Sequence, residues 1–288
     1  MTPAHRPVDE LAWAAQILAD AGVESPRADA RWLLAWVLDV EPGRLPLVDE
    51  VTEAQVDAFH DAVGRRAARE PVQHIIGVAP FGPLELAVGP GVFVPRPETE
   101  WLVEWATDRL AGRTRPMVVD LCSGSGALAL AVATTVPTAE VAAVERASEA
   151  LVWLRRNVAA VPAAVGERVA VHQADVTDVA AVTALLGSEV DLVVANPPYV
   201  PATVPVSPEV AADPADAVFA GSDGMSVIVP MARTIAAITS PGAYVGVEHD
   251  DTTADAVVDA LAQADAFADI EPHHDLTGRP RFVTARRR

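Results

Sequence analysis

The sequence predicts an α/β protein in which a mostly parallel sheet, covered by helices on both faces, follows a small helical domain. Three observations carry this. Beyond about residue 116, short apolar runs of strand length alternate with helical stretches. The first seventy residues hold helical stripes and no strand pattern. A passage dense in Gly and Pro separates the two.

The helical part reads in order. Leu11, Ala14, Ala15 and Leu18 recur at three and four spacing between Val8 and Ala21. Ser25-Pro26 has the form of an N-cap followed by proline at the first helical position, opening a helix through Ala28, Trp32, Leu33, Trp36 and Val37. Thr52 and Gln55 form a capping box ahead of Val56, Phe59, Val63 and Ala67. These stripes are expected to pack on one another as a bundle. All of Trp13, Trp32, Trp36, Trp101, Trp105 and Trp153 lie on predicted helix stripes and are assigned to the core. "HIIGVAPFGPLELAVGPGVFVPRP" reads as a hairpin and linker, giving boundaries of 1–72 for the helical domain, 73–94 for the β-hairpin linker and 95–288 for the α/β domain.

The α/β part then alternates. "PMVVDL", "EVAAVE", "RVAVHQAD", "VDLVVAN" and "GAYVGVEH" are strands separated by helices, which implies right-handed parallel crossovers. "FADIEPHHDL" and "RFVTARR" have no helix between them, so an antiparallel pair is expected at the end.

Bulk properties narrow the function. A formal net charge of −19 repels phosphate backbones, so direct nucleic-acid binding is not expected. Arg65-Arg66-Arg69 and Arg286-Arg287-Arg288 are the basic clusters, read as a solvated helix face and a solvated terminus. One cysteine, Cys122, allows no internal disulfide and suits a reducing compartment. With no signal-peptide pattern and no long apolar run, a cytoplasmic protein without a membrane partner is expected. No metal site is predicted: His249-Asp250-Asp251 and His273-His274-Asp275 lack metal-ligand spacing and are read as surface polar residues.

The chemistry is written on the strand ends. "VVDLCSGSGALAL" places Gly124 and Gly126 in the first strand-to-helix turn, with Ser123 and Ser125 between and beside them. With Ala129 at the third position, a dinucleotide remains an open reading, and so does a tight turn with no ligand. Asp120, at the end of the strand, would oppose a pyrophosphate but suits a ligand with an ammonium or sulfonium centre. Glu145 ends the second strand, where an acid takes ribose hydroxyls. Asp175 ends the third, with Val176 beside it to lie against a purine.

Asn196-Pro197-Pro198-Tyr199 ends the fourth strand on the same rim. Two prolines stiffen the backbone and remove competing donors. The Pro197 carbonyl and the Asn196 side-chain oxygen can then grip the two hydrogens of an –NH₂ group, and Tyr199 offers a face for a planar amide or base. Two fixed acceptors favour a more tetrahedral nitrogen and free its lone pair for attack.

Taken together, "DLCSGSG", "ANPPYV", "FVPRPETEWLV", "PVQHIIG", "DPADAVFAGSDGM" and "DLTGRPRFV" resemble the protein-glutamine N5-methyltransferase family of HemK/PrmC type over about Pro71 to Val283. The resemblance implies a Rossmann-like, seven-stranded class I S-adenosyl-L-methionine-dependent methyltransferase with a small helical N-terminal domain that helps recognise a protein substrate. The typical substrate is the glutamine of the Gly-Gly-Gln loop of peptide-chain release factors. Carried over, Cys122 to Gly126 would line the methionine part of the cofactor, Glu145 would hold the ribose and Val176 would lie by the adenine. Asn196 to Tyr199 would hold the glutamine amide, with Thr99 and Glu100 near the cofactor and the substrate entrance. Cys122 stands where the family has glycine, Glu145 where aspartate is commoner, and Val176 where an aromatic is frequent. A ribosomal-protein glutamine methyltransferase and a nucleic-acid amino-methyltransferase are the alternatives, and a monomer is expected.

Overall fold

The structure is a computed structural model that describes residues 5–275 and 277–288. Leu276, the last residue of the expected strand "FADIEPHHDL", lies outside the described residues. The chain divides into two compact units, 1–78 with 206–212, and 79–205 with 213–288.

The first unit contains α1 (Pro7–Asp20), α2 (Pro26–Leu38), α3 (Glu53–Ala67) and the short α4 (Val72–Ile76), with a 3-10 turn at Pro42–Leu47. Proline opens α1 and α2, where its missing N–H costs nothing. The capping box at α3 forms as read: Thr52 Oγ1 accepts from Gln55 N, and Gln55 Oε1 accepts from Thr52 N. Ala14, Leu18, Leu33, Leu34, Phe59, Val63 and Ile75 make the core of this unit.

Two expectations fail here. Trp13, Trp32 and Trp36 are 38–45% exposed, as is Trp101 at 37% in the second unit, so these four are not core residues. The buried face of α2 is Ala30, Leu33 and Leu34; Trp32 and Trp36 share a neighbouring stripe that turns outward. Trp13 instead stacks on the His60 ring at 3.9 Å. Trp105 and Trp153 are the partly buried pair. Of the arginine cluster, Arg65 is exposed as expected, but Arg66 and Arg69 are tied into ion pairs. Arg66 is 5% exposed and pairs with Asp29 (2.7 Å) and Glu209 (2.8 Å). Arg69 binds both Glu209 oxygens, at 2.6 and 2.7 Å. Hydrogen bonds from Arg69, and from Arg66, hold Glu209 down at about 2.

The second unit begins with a hairpin, β1 (Val78–Phe81) and β2 (Leu84–Ala87), then a 3-10 turn at Pro97–Thr99 running into α5 (Glu100–Leu110). The alternation follows as β3 (Met117–Leu121), α6 (Ala127–Thr135), β4 (Glu140–Glu145), α7 (Ser148–Ala160), the short α8 (Ala163–Gly166), β5 (Val169–Gln173), α9 (Val179–Leu186) and β6 (Val190–Ala195). The short α10 (Pro208–Ala211), which clusters with the first unit, and α11 (Ala215–Val218) come next. They lead to α12 (Ile228–Ile238), β7 (Thr239–Glu248), α13 (Ala254–Gln263), β8 (Phe267–His274) and β9 (Pro280–Arg287).

Seven strands form one sheet in the order β5-β4-β3-β6-β7-β9-β8. The first five are parallel, and β9 pairs antiparallel with β7 and β8, as the missing final helix predicts. Alternate residues serve opposite faces. Val118, Val141, Leu192 and Val194 join α5, α6 and α7 on one side, while Val119, Ala142, Val193 and Ala195 join α9, α12 and α13 on the other. The strand order reverses between β3 and β6, which opens a crevice beyond their carboxyl ends.

Candidate active site

Register aligns the rim. Leu121 of β3 lies opposite Ala195 of β6, and Ala195 opposite Val247 of β7. The next residue of each strand is Cys122, Asn196 and Glu248, so these three stand in a row at the switch point, with strands spaced about 4.8 Å apart. The glycine turn and the Asn-Pro-Pro-Tyr corner are thus immediate neighbours.

The turn is built on left-handed backbone. Cys122, Gly124 and Gly126 have φ of 65°, 54° and 89°. Glycine takes this freely, whereas Cys122 takes it at a steric cost. Its half-buried thiol is pushed well up by burial and by the Glu145, Asp120 and Asp175 carboxylates, so it stays protonated. Asn157, 2% exposed, staples the turn: its Nδ2 donates to Ser125 O and Ala87 O, and its Oδ1 accepts from Ala87 N. Beside it, Ser123 Oγ donates to the Asp120 carbonyl at 2.9 Å.

Asp120 is fully buried. Its Oδ2 accepts from Ala129 N at 3.0 Å, while Oδ1 has no partner. Burial raises its pKa to about 7 against the pull of the nearby Ser123 hydroxyl and the Ala129 N–H. Glu145 uses Oε2 to accept from Gly124 N (2.8 Å) and Oε1 to accept from Ala147 N (2.7 Å), which fixes it against the turn. Asp175 follows β5 by two residues and bends back on Thr177, accepting from its N and Oγ1 at 2.9 and 2.7 Å. Val176 is 5% exposed in the sheet core, and its carbonyl accepts from Thr234 Oγ1.

At the corner, Asn196 is half-buried, and its Nδ2 donates to Thr99 Oγ1 at 3.1 Å. Pro197 is buried, and Pro198 and Tyr199 are half-buried. The Tyr199 hydroxyl donates to Glu248 Oε1 at 3.3 Å. Burial and the Glu248 charge push the phenol well above its ordinary value. Glu248 is itself 5% exposed and raised to about 7 by burial, with Thr99 and Tyr199 pulling it back. Thr99 is 3% exposed between Asn196 and Glu248, while Glu100 is on the surface. Gly224 lies beneath the corner at φ 78°, where an added Cβ would stand 2.2 Å from the Tyr199 carbonyl oxygen.

Sequence reasoning passed over Glu248, Asn157 and Asp213. Glu248 carried a signal: it is an acid at the tip of the strand next to β6, on the rim already singled out. Asp213 accepts from Val94 N and Arg96 Nη2, which anchors the segment that carries Thr99. His249 corrects the surface assignment. It is 2% exposed, with Nδ1 on the Asp250 carbonyl, and burial lowers its pKa. Among the described residues no group of three or more His, Cys, Asp or Glu could hold a metal ion.

Comparison with known proteins agrees with this geometry. A family model for the PrmC N-terminal domain matches residues 9–77, and one for the methyltransferase small domain matches residues 90–212. The release factor glutamine methyltransferase of Mycolicibacterium smegmatis is 50% identical over 271 residues, covering 94% of each chain. That of Streptomyces coelicolor is 48% identical over 286 residues, covering 96% of this chain and 97% of the other. That of Corynebacterium glutamicum is 47% identical over 94% of this chain and 95% of the other. With the glycine turn and the Asn-Pro-Pro-Tyr corner side by side at the switch point of a seven-stranded sheet, the chain belongs to the release factor glutamine methyltransferase family.

Proposed function

We propose that the protein transfers a methyl group from S-adenosyl-L-methionine to the side-chain amide nitrogen of a glutamine in a peptide-chain release factor, in its Gly-Gly-Gln loop. The observation that carries this is the register Leu121–Ala195, which sets a cofactor-type turn beside a rigid pair of amide acceptors.

The residues fit the cofactor. The partnerless buried Asp120 Oδ1 suits a ligand ammonium group, the left-handed turn from Cys122 through Ser123, Gly124 and Ser125 to Gly126 lets backbone approach the ligand, and Glu145 keeps free lone pairs for ribose hydroxyls. Asp175 and Val176 would flank the base. When bound, the cofactor supplies an electrophilic methyl on sulfonium. Asn196 Oδ1 and the Pro197 carbonyl then accept from the substrate –NH₂, directing its lone pair away from the amide plane. Pro198 keeps the corner stiff, Tyr199 stacks on the amide plane, and Thr99 holds Asn196 in place. Glu100 stands at the entrance. The proton is shed after transfer, so no strong base is required.

The names of the relatives favour a release factor over a ribosomal protein as substrate. The −19 charge and the neutralised Arg66 and Arg69 weigh against a nucleic-acid substrate. No helix among the described residues is long and apolar enough to cross a membrane. The same reading makes the enzyme a cytoplasmic monomer, which light scattering tests. Incubation with methyl-labelled cofactor and, separately, release factor, ribosomal protein or DNA decides the rest. Label on the release-factor glutamine is the expected result; label in DNA alone overturns the proposal.

A further inference from the structure

We propose that Glu248 is a positioning residue that fixes which way the Asn196 amide faces, acting through Thr99 and Tyr199. The inference rests on the methyl-transfer reading and deepens it.

The number of hydroxyl protons fixes the orientation. Above about pH 7, where Glu248 is ionised, its carboxylate only accepts hydrogen bonds. Glu248 Oε1 accepts from the Tyr199 hydroxyl at 3.3 Å, and the Thr99 hydroxyl also donates to this carboxyl. Thr99 has one hydroxyl proton. Once that is directed at Glu248, its oxygen presents lone pairs alone to its other neighbour. Asn196 can then meet Thr99 only with Nδ2, as observed at 3.1 Å. The flipped amide would set Oδ1 against Thr99 lone pairs, acceptor against acceptor. Oδ1 is thereby left as the acceptor for the substrate nitrogen, the role the transfer needs. The register Ala195–Val247 makes this relay possible by bringing Asn196 and Glu248 side by side, with Thr99 buried between them. The second arm, to Tyr199, holds the ring that faces the same guest. Nothing in the relay moves a proton during transfer; its work is done before substrate arrives.

Glu248→Gln keeps the volume but gives the side chain two N–H donors and one acceptor. Thr99 can then accept from position 248, which frees its hydroxyl to donate to Asn196 and removes the preference for one amide orientation. In the release-factor labelling assay, Glu248→Gln is expected to lower kcat about tenfold or more. KM for the release factor and the Kd for S-adenosylhomocysteine should stay within about twofold. Thr99→Val should do the same, Thr99→Ser should restore most of the rate, and the Glu248→Gln/Thr99→Val double variant should be no slower than the worse single variant. Wild-type kcat in Glu248→Gln, equal losses in Thr99→Ser and Thr99→Val, or a fall in cofactor affinity that accounts for the lost rate would each overturn the role of Glu248. If wild-type protein leaves the release factor unlabelled, the functional reading falls instead.

Discussion

Asp120, Glu145 and Asp175 are held by main-chain N–H groups within 21 residues of them in the sequence: Ala129, Gly124 and Ala147, and Thr177. The corner at Asn196 is held by other side chains. Its links to Thr99 and from Tyr199 to Glu248 span 97 and 49 residues. The side proposed for the cofactor is therefore a set of local turns that closes as each strand ends. The side proposed for the amide is a long-range assembly, complete only when the whole sheet has formed. Damage to the first should appear as lost affinity, and damage to the second as lost turnover.

The sharpest separation is expected from Asn196→Ala. Removing an acceptor proposed to work on the developing transition state should cost about 10²–10³ in kcat, with the Kd for S-adenosylhomocysteine nearly unchanged. A large loss of cofactor binding in that variant would erase the distinction between the two sides. Next is Gly224→Ala, which places a Cβ on the Tyr199 carbonyl in left-handed backbone. A loss of roughly 2–3 kcal/mol of stability and a matching fall in kcat are expected, read by thermal unfolding and single-turnover assay.

On the cofactor side, Glu145→Ala should weaken S-adenosylhomocysteine by about 10–100-fold, the worth of one or two hydrogen bonds to a charged group, while kcat at saturating cofactor holds. Cofactor affinity should also fall with acidity. Asp120 in the free protein titrates near 7. Meeting an ammonium group would lower that value, so affinity is full above about pH 7 and declines toward tenfold per unit below it. Calorimetry between pH 8 and 6 measures the slope, and Asp120→Asn should flatten it. The smallest effect is expected from Cys122→Gly. Relief of left-handed strain, about 1–2 kcal/mol, is offset by about 0.5–1 kcal/mol of added unfolded-chain entropy. A rise in Tm of roughly 2 °C should follow.

The same local-versus-distant contrast explains what could be read from the sequence. The sheet, its antiparallel end and the capping box at Thr52 were legible because each is written in consecutive residues with a clear period or spacing. The strand-end positions of Asp120, Glu145 and the glycine turn were legible for the same reason. Glu248 was not, since its role exists only through Thr99 and Tyr199, and a single acid at a strand tip looks solvated until its neighbours are known. The tryptophans depart from expectation because a large apolar side chain on a helix need not face the core. On α2, Ala30 and Leu33 fill the inward face, and Trp32 and Trp36 fall just outside it. Arg66 misled in the opposite sense, because its partner Glu209 lies 143 residues away.

That last pair bears on how the molecule could be recombined. The polypeptide enters the helical unit a second time at 206–212, only after completing Asn196 to Tyr199. A graft of the amino-terminal helices from a relative would therefore be incomplete if it stopped at the hairpin. It must carry its own version of the Glu209 stretch, or leave two arginine sockets without their shared anion.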